Sequence, residues 1–161
     1  MLIYVNIIEN ELVFVDLSED VKIDLQIPEK SKKDLGVING KVLITSFRDS
    51  RVEHIEIKLI EKYHRGRKDS KLVDEYTLGE ILLETGIDVR KQDLIEIPFE
   101  LPFTLYKSDM DKMEDNNMVL GGFIKLAKKL KGVKSEYRIE ATAHVSGTKL
   151  APLCIKSITL L

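Results

Sequence analysis

Lys134–Thr148 (KSEYRIEATAHVSGT) has apolar or aromatic residues at every second position: Tyr137, Ile139, Ala141, Ala143 and Val145. Glu136, Arg138, Glu140, Thr142 and His144 fill the positions between. Successive side chains of a strand point to opposite faces of its sheet, so this segment is a strand with one dry and one wet face. The pattern returns in Glu53–Tyr63 and Gln92–Leu101. Several such strands need a second sheet over their apolar faces, which predicts an all-β, two-sheet sandwich.

The 161 residues suit one domain, 1–161, large enough to bury a core without disulfides or metal. Lys and Arg number 25 against 27 Asp and Glu, for a net charge of −2. That balance argues against a dedicated nucleic-acid binder, which needs a large basic excess. Cys154 is the only cysteine, so no internal disulfide forms and a reducing, cytoplasmic home is expected. The opening residues lack a basic n-region, and Asn6, Glu9, Asn10 and Glu11 interrupt the apolar run, so a signal peptide is not expected. No stretch is long enough to span a bilayer as a helix.

Leu2–Ile8 and Leu12–Val15 predict a short hairpin or edge pair. Val21, Ile23, Leu25 and Ile27 alternate until Pro28, and Glu29–Leu35 predicts a charged loop. Val37–Ser46 is a strand whose Asn39-Gly40 marks either a tight turn or a bulge. Arg51–Lys62 and Lys71–Leu83 predict a long hairpin, the return arm marked by Leu72, Tyr76, Leu78 and Leu82 and the tip basic. Ile95, Ile97, Phe99 and Leu101 form a further inward face, bounded by Pro102. The exception is Asn117–Val133, where Leu120, Phe123, Ala127 and Leu130 recur at helical spacing and predict one short amphipathic helix over 118–131.

Val21–Ile27 (VKIDLQI), Gly40–Ser46 (GKVLITS) and Val52–Tyr63 with its basic loop resemble the start of an arrestin-type domain. Glu96–Pro102 (EIPFELP) is similar to the strand that follows there, and Lys134–Ala141 (KSEYRIEA) and Gly147–Pro152 (GTKLAP) to those that end it. The family in question is the bacterial arrestin-like sporulation-control proteins of stage-zero M type, and the resemblance runs from about Val21 to Leu161. It implies an arrestin-like, immunoglobulin-like sandwich with one short helix, and a regulatory protein–protein role without catalysis. Residues 1–20 depart from the family's opening, and a single lobe stands where arrestins proper carry two. No phosphate-sensing charge of animal arrestins is carried over.

No catalytic constellation is legible, and neither a cofactor nor a metal is expected. Asp109, Asp111, Glu114 and Asp115 cluster, but an EF-hand loop from Asp109 would place Met113, Glu114 and Leu120 where an acceptor, a glycine and a glutamate belong. Alternation places His54 and His144 on polar faces of different strands and His64 in a loop, with no ligand spacing linking them. Cys154 sits in an apolar strand and is expected to act as a small hydrophobe.

The remaining lead is basic. Arg65, Arg67 and Lys68 occupy the tip of the hairpin, where a rigid support favours recognition. Lys125, Lys128 and Lys129 line the polar face of the expected helix. These six are the candidate partner-binding residues, for a protein of unknown identity. Two other readings stay open: a peripheral membrane module using 118–131, against which stands the core available to its apolar stripe, and a small-ligand-binding sandwich. Edge strands at Leu2–Ile8 and Leu153–Leu160 offer a route to self-association, or to pairing with each other inside one molecule.

Overall fold

A computed structural model describes residues 4–8, 11–15, 20–65, 72–105, 134–148 and 151–161, with the backbone alone described for the strand residues before 20 and for 65. The described strands are β1 (Tyr4–Ile8), β2 (Glu11–Val15), β3 (Val21–Gln26), β4 (Lys30–Ser31), β5 (Val37–Ser46), β6 (Ser50–Arg65), β7 (Leu72–Val89), β8 (Leu94–Pro102), β9 (Lys134–Val145) and β10 (Leu153–Leu160). A five-stranded sheet in the order β4-β10-β9-β6-β7 faces a three-stranded sheet, β3-β5-β8, while β1 and β2 pair as a hairpin. The architecture is a two-sheet β-sandwich, as the alternation predicts. The expected helix lies outside the described residues.

The core lies where the alternating faces meet. Ile55, Ile57 and Leu59 of β6 and Ile139, Ala141 and Ala143 of β9 are fully buried, as are Leu25, Val42, Ile44 and Leu101 from the facing sheet. Each buried branched side chain stabilises by about 1.5–3 kcal/mol. In register, Ala141 is opposite Ile57 and Ala143 opposite Ile55, so at these two rungs a large side chain faces a small one. Val145 and Phe99 are buried too, while Tyr137 and Ile97 are half-buried against the cluster.

One seam of the sandwich closes where β10 meets β3, and the other where β7 meets β8. At the first, the Lys156 ammonium bonds Asp24 Oδ1 at 2.9 Å and also the Leu25 carbonyl. At the second, the Thr104 amide donates to the Leu78 carbonyl at 2.9 Å. Pro98 and Pro102 are tolerated because β8 is an edge strand, where a missing amide need not break a ladder.

The predicted long hairpin is β6 and β7, of 16 and 18 residues and therefore about 50 Å long. Its register slips between Leu59 and Ile60, which pair with Gly79 and Thr77 and leave Leu78 as a bulge. The bulge changes the parity of β7, so Ile81, Leu83 and Ile87 pack against the core while Leu82 is 53% exposed. Of the four residues that mark this arm in the sequence, only Leu78 is buried; Leu72 and Tyr76 are exposed.

Three more expectations are corrected. Asn39-Gly40 is neither turn nor bulge: β5 runs straight through it, with Asn39 opposite Glu100 and Gly40 opposite Phe99. The charged loop after Pro28 contains β4, which pairs in parallel with the end of β10, and a 3-10 turn at Lys33–Leu35. The described part of the first terminal segment, β1, does not pair with Leu153–Leu160: β1 takes β2 as partner and β10 lies between β9 and β4.

Candidate interaction surface

Of the six basic candidates, Arg67, Lys68, Lys125, Lys128 and Lys129 lie outside the described residues. Arg65 ends β6, its backbone paired with Leu72. One residue earlier, His64 is opposite both Val73 of β7 and Lys134 at the start of β9. The described chain therefore enters and leaves 66–71, and resumes after 106–133, at one end of the five-stranded sheet.

The outer face of that end is built from ion pairs. Arg138 on β9 reaches across β6 to Glu75 on β7 with a two-pronged bond, Nη1–Oε1 3.0 Å and Nη2–Oε2 2.9 Å. Its Nε also donates to Glu140 at 2.6 Å. The fork holds the Glu75 carboxyl below the usual carboxylate range and the guanidinium charged even further above neutrality. Lys134 bonds Glu136 at 2.7 Å and lowers its pKa in the same way. His64 Nε2 stands 3.4 Å from Glu136, too far for a good hydrogen bond. Further along, Lys58 joins Glu56 at 2.9 Å and Arg51 joins Asp88 at 3.0 Å. These charges neutralise one another on the sheet.

The inner face of the same end turns polar and aromatic. Glu61, only 8% exposed, has Tyr137 opposite on β9 and Tyr76 opposite on β7. Tyr63 lies one step further out and meets Tyr76 edge to face, ring centroids 6.5 Å apart. Glu61 follows the strict alternation of Ile55, Ile57 and Leu59, but a charged residue in an apolar series is a weak sequence signal.

Elsewhere the chemistry is sparse. Cys154 Sγ lies 3.5 Å from Asp24 Oδ1 at the β3–β10 seam, and burial pushes its thiol pKa up, away from the thiolate a nucleophile needs. A shallow, open apolar depression surrounds Gly40 and Pro98 on the three-stranded sheet. Among the described residues no three His, Cys, Asp or Glu side chains converge as a metal-binding group. Among the same residues no helix is long and apolar enough to cross a membrane.

His54 and His144 are brought together. They are directly opposite on β6 and β9, with rings stacked 4.1 Å apart at 22°. Alternation put both on wet faces; only the pairing register, a long-range property, makes those faces the same one and the residues neighbours.

The architecture defines a largely antiparallel sandwich with an ion-paired outer face. Among solved structures it is similar to Spo0M, the sporulation control protein of Bacillus subtilis, with a TM-score of 0.60 and 11% identity over 88% of this chain. The chain spans about half the length of that protein (49%). At such identity the likeness is one of fold. The ligand-binding region of serine-glutamate repeat protein A of Enterococcus faecium aligns more loosely, with a TM-score of 0.39 and 12% identity over 89% of this chain and 98% of that one. No family model matches the sequence, and no curated protein matches it.

Proposed function

We propose that this chain is a non-catalytic regulatory or adaptor module that works through protein–protein contacts, as a sporulation control protein would. The observation carrying the reading is the sandwich it has in common with Spo0M over most of its length. Two features support it. The ordered charges of the outer sheet face are engaged with each other in strand-bracing pairs rather than grouped around a pocket. The backbone ends flanking the basic tip and Lys134 meet at one sheet end, a rigid platform for a recognition loop. In this reading Arg65, Arg67 and Lys68 engage an acidic partner first, with Lys125, Lys128 and Lys129 adding diffuse positive charge.

The test is capture of partners from native lysate, followed by titration of the purified partner against wild type and an Arg65→Glu/Arg67→Glu variant. The reading expects saturable binding that the reversal weakens strongly and that fades as salt rises, since exposed charges are screened within about 10 Å at 0.1 M salt. A partner indifferent to both would move recognition to an apolar edge or groove. Flotation with anionic vesicles, if it retained the protein, would favour a membrane role instead.

A further inference from the structure

We propose that His54 and His144 form a two-imidazole binding site for a borderline transition-metal dication of the Cu²⁺, Ni²⁺ or Zn²⁺ class, with the charge of Glu84 on the neighbouring strand favouring the cation. The two histidines are directly opposite on adjacent antiparallel strands, and Glu84 of β7 is the register partner of His54 on its other side. One row of the outer face therefore reads His144, His54, Glu84 across three strands.

The stacked rings are 4.1 Å apart and tilted by only 22°. A tetrahedral ion bound at about 2.0–2.1 Å by two imidazole nitrogens holds those nitrogens about 3.4 Å apart. The centroid spacing is of the same order, so rings opposed on this register are near enough to share one ion. Among the described residues neither imidazole makes a hydrogen bond or ion pair; their contact is the stack with each other. This contrasts with the rest of the outer face, where Arg51, Lys58 and Arg138 each hold a carboxylate.

The backbone is specialised at this row. The register shifts between Val52 and His54 against both neighbours: Glu53 is extra relative to β9, whereas β7 sets two residues, Thr85 and Gly86, against Glu53. Bulges re-aim side chains and recur beside binding sites. Here they let Val52 point into the core while Glu53 and His54 both stay outside. Of the carboxylates nearby in sequence and register, Glu53 is paired with Arg51 and Glu56 with Lys58, which leaves Glu84 as the row's own negative charge, a setting that favours a cation. Imidazole donors select borderline transition metals over calcium or magnesium.

The test is titration of the full chain with Cu²⁺ alone, followed by calorimetry and electron paramagnetic resonance. The expected result is one ion per chain with nitrogen hyperfine structure from two imidazoles. His54→Gln and His144→Gln should each weaken binding about tenfold or more, Glu84→Gln by less, and His64→Gln not at all. Selective paramagnetic broadening of the His54 and His144 imidazole resonances in the wild-type protein supplies the same answer without a variant. Binding unchanged in His54→Gln or His144→Gln, loss in His64→Gln, or no Cu²⁺ uptake at micromolar concentration would overturn the proposal.

Discussion

The Phe99 ring lies over the α-carbon of Gly40: a β-carbon built there would sit 2.7 Å from the ring's Cζ and 2.9 Å from Ile27 Cγ2. The two residues are register partners on β5 and β8, and the absent side chain of one is the space the other fills. This accounts for a glycine inside a straight strand. Phe99→Ala should cost about 3–5 kcal/mol, because its buried ring leaves a cavity. Gly40→Ala should cost about 1–3 kcal/mol by overpacking, and less than that in a Phe99→Leu background. Urea denaturation of Phe99→Ala, and of wild type, Gly40→Ala, Phe99→Leu and the double variant as a cycle, measures both costs and the coupling; simple additivity would mean that the ring yields freely.

Gly79 is the tighter position. A β-carbon there would come 2.1 Å from the Pro102 carbonyl oxygen, a backbone atom that cannot rotate away. The bulge turns both Leu78 and Gly79 toward the chain leaving β8, which explains the crowding. Gly79→Ala should destabilise more than Gly40→Ala and should open the β7–β8 seam. Amide exchange at Thr104, whose N–H bonds Leu78, reports that opening directly.

Arg138 joins β9 to β7 across β6 through a forked contact that lysine cannot reproduce. Arg138→Lys should lower the melting temperature, and the coupling between Arg138 and Glu75 in a double-mutant cycle should shrink as salt rises from about 0.05 to about 1 M. A coupling that salt leaves unchanged would mean that the arginine stem, rather than its charge, supplies the stability.

Acid should loosen the sandwich at identifiable places. Asp24 is held below its ordinary pKa chiefly by its bond from Lys156, Glu75 by Arg138 and Glu136 by Lys134. A carboxyl whose folded pKa is depressed stabilises fully above its unfolded value, about 4, and loses that contribution as pH falls through the folded value. Stability should therefore decline as pH drops below about 4, and Asp24→Asn should flatten part of the slope. Denaturation midpoints measured from pH 6 down to pH 2 test this; a slope identical in Asp24→Asn would remove the seam pair from the account.

The sandwich was legible in the sequence because burial in a strand is a local, period-two property. Ile139, Ala141 and Ala143 are fully buried where alternation places them, and so are Ile55, Ile57 and Leu59. The long hairpin and its order in the chain could be read in the same way. What tertiary structure alone decided are the relations between distant strands. The bulge at Leu78 reverses the parity of β7 and exposes Leu82, because one extra residue exchanges the two faces. Phe99 needs Gly40 from a strand about sixty residues earlier. Register places His54 beside His144 although ninety residues separate them, and no spacing rule along the chain encodes that contact. Period tells a residue which way to point; only the packed sheets determine what it points at.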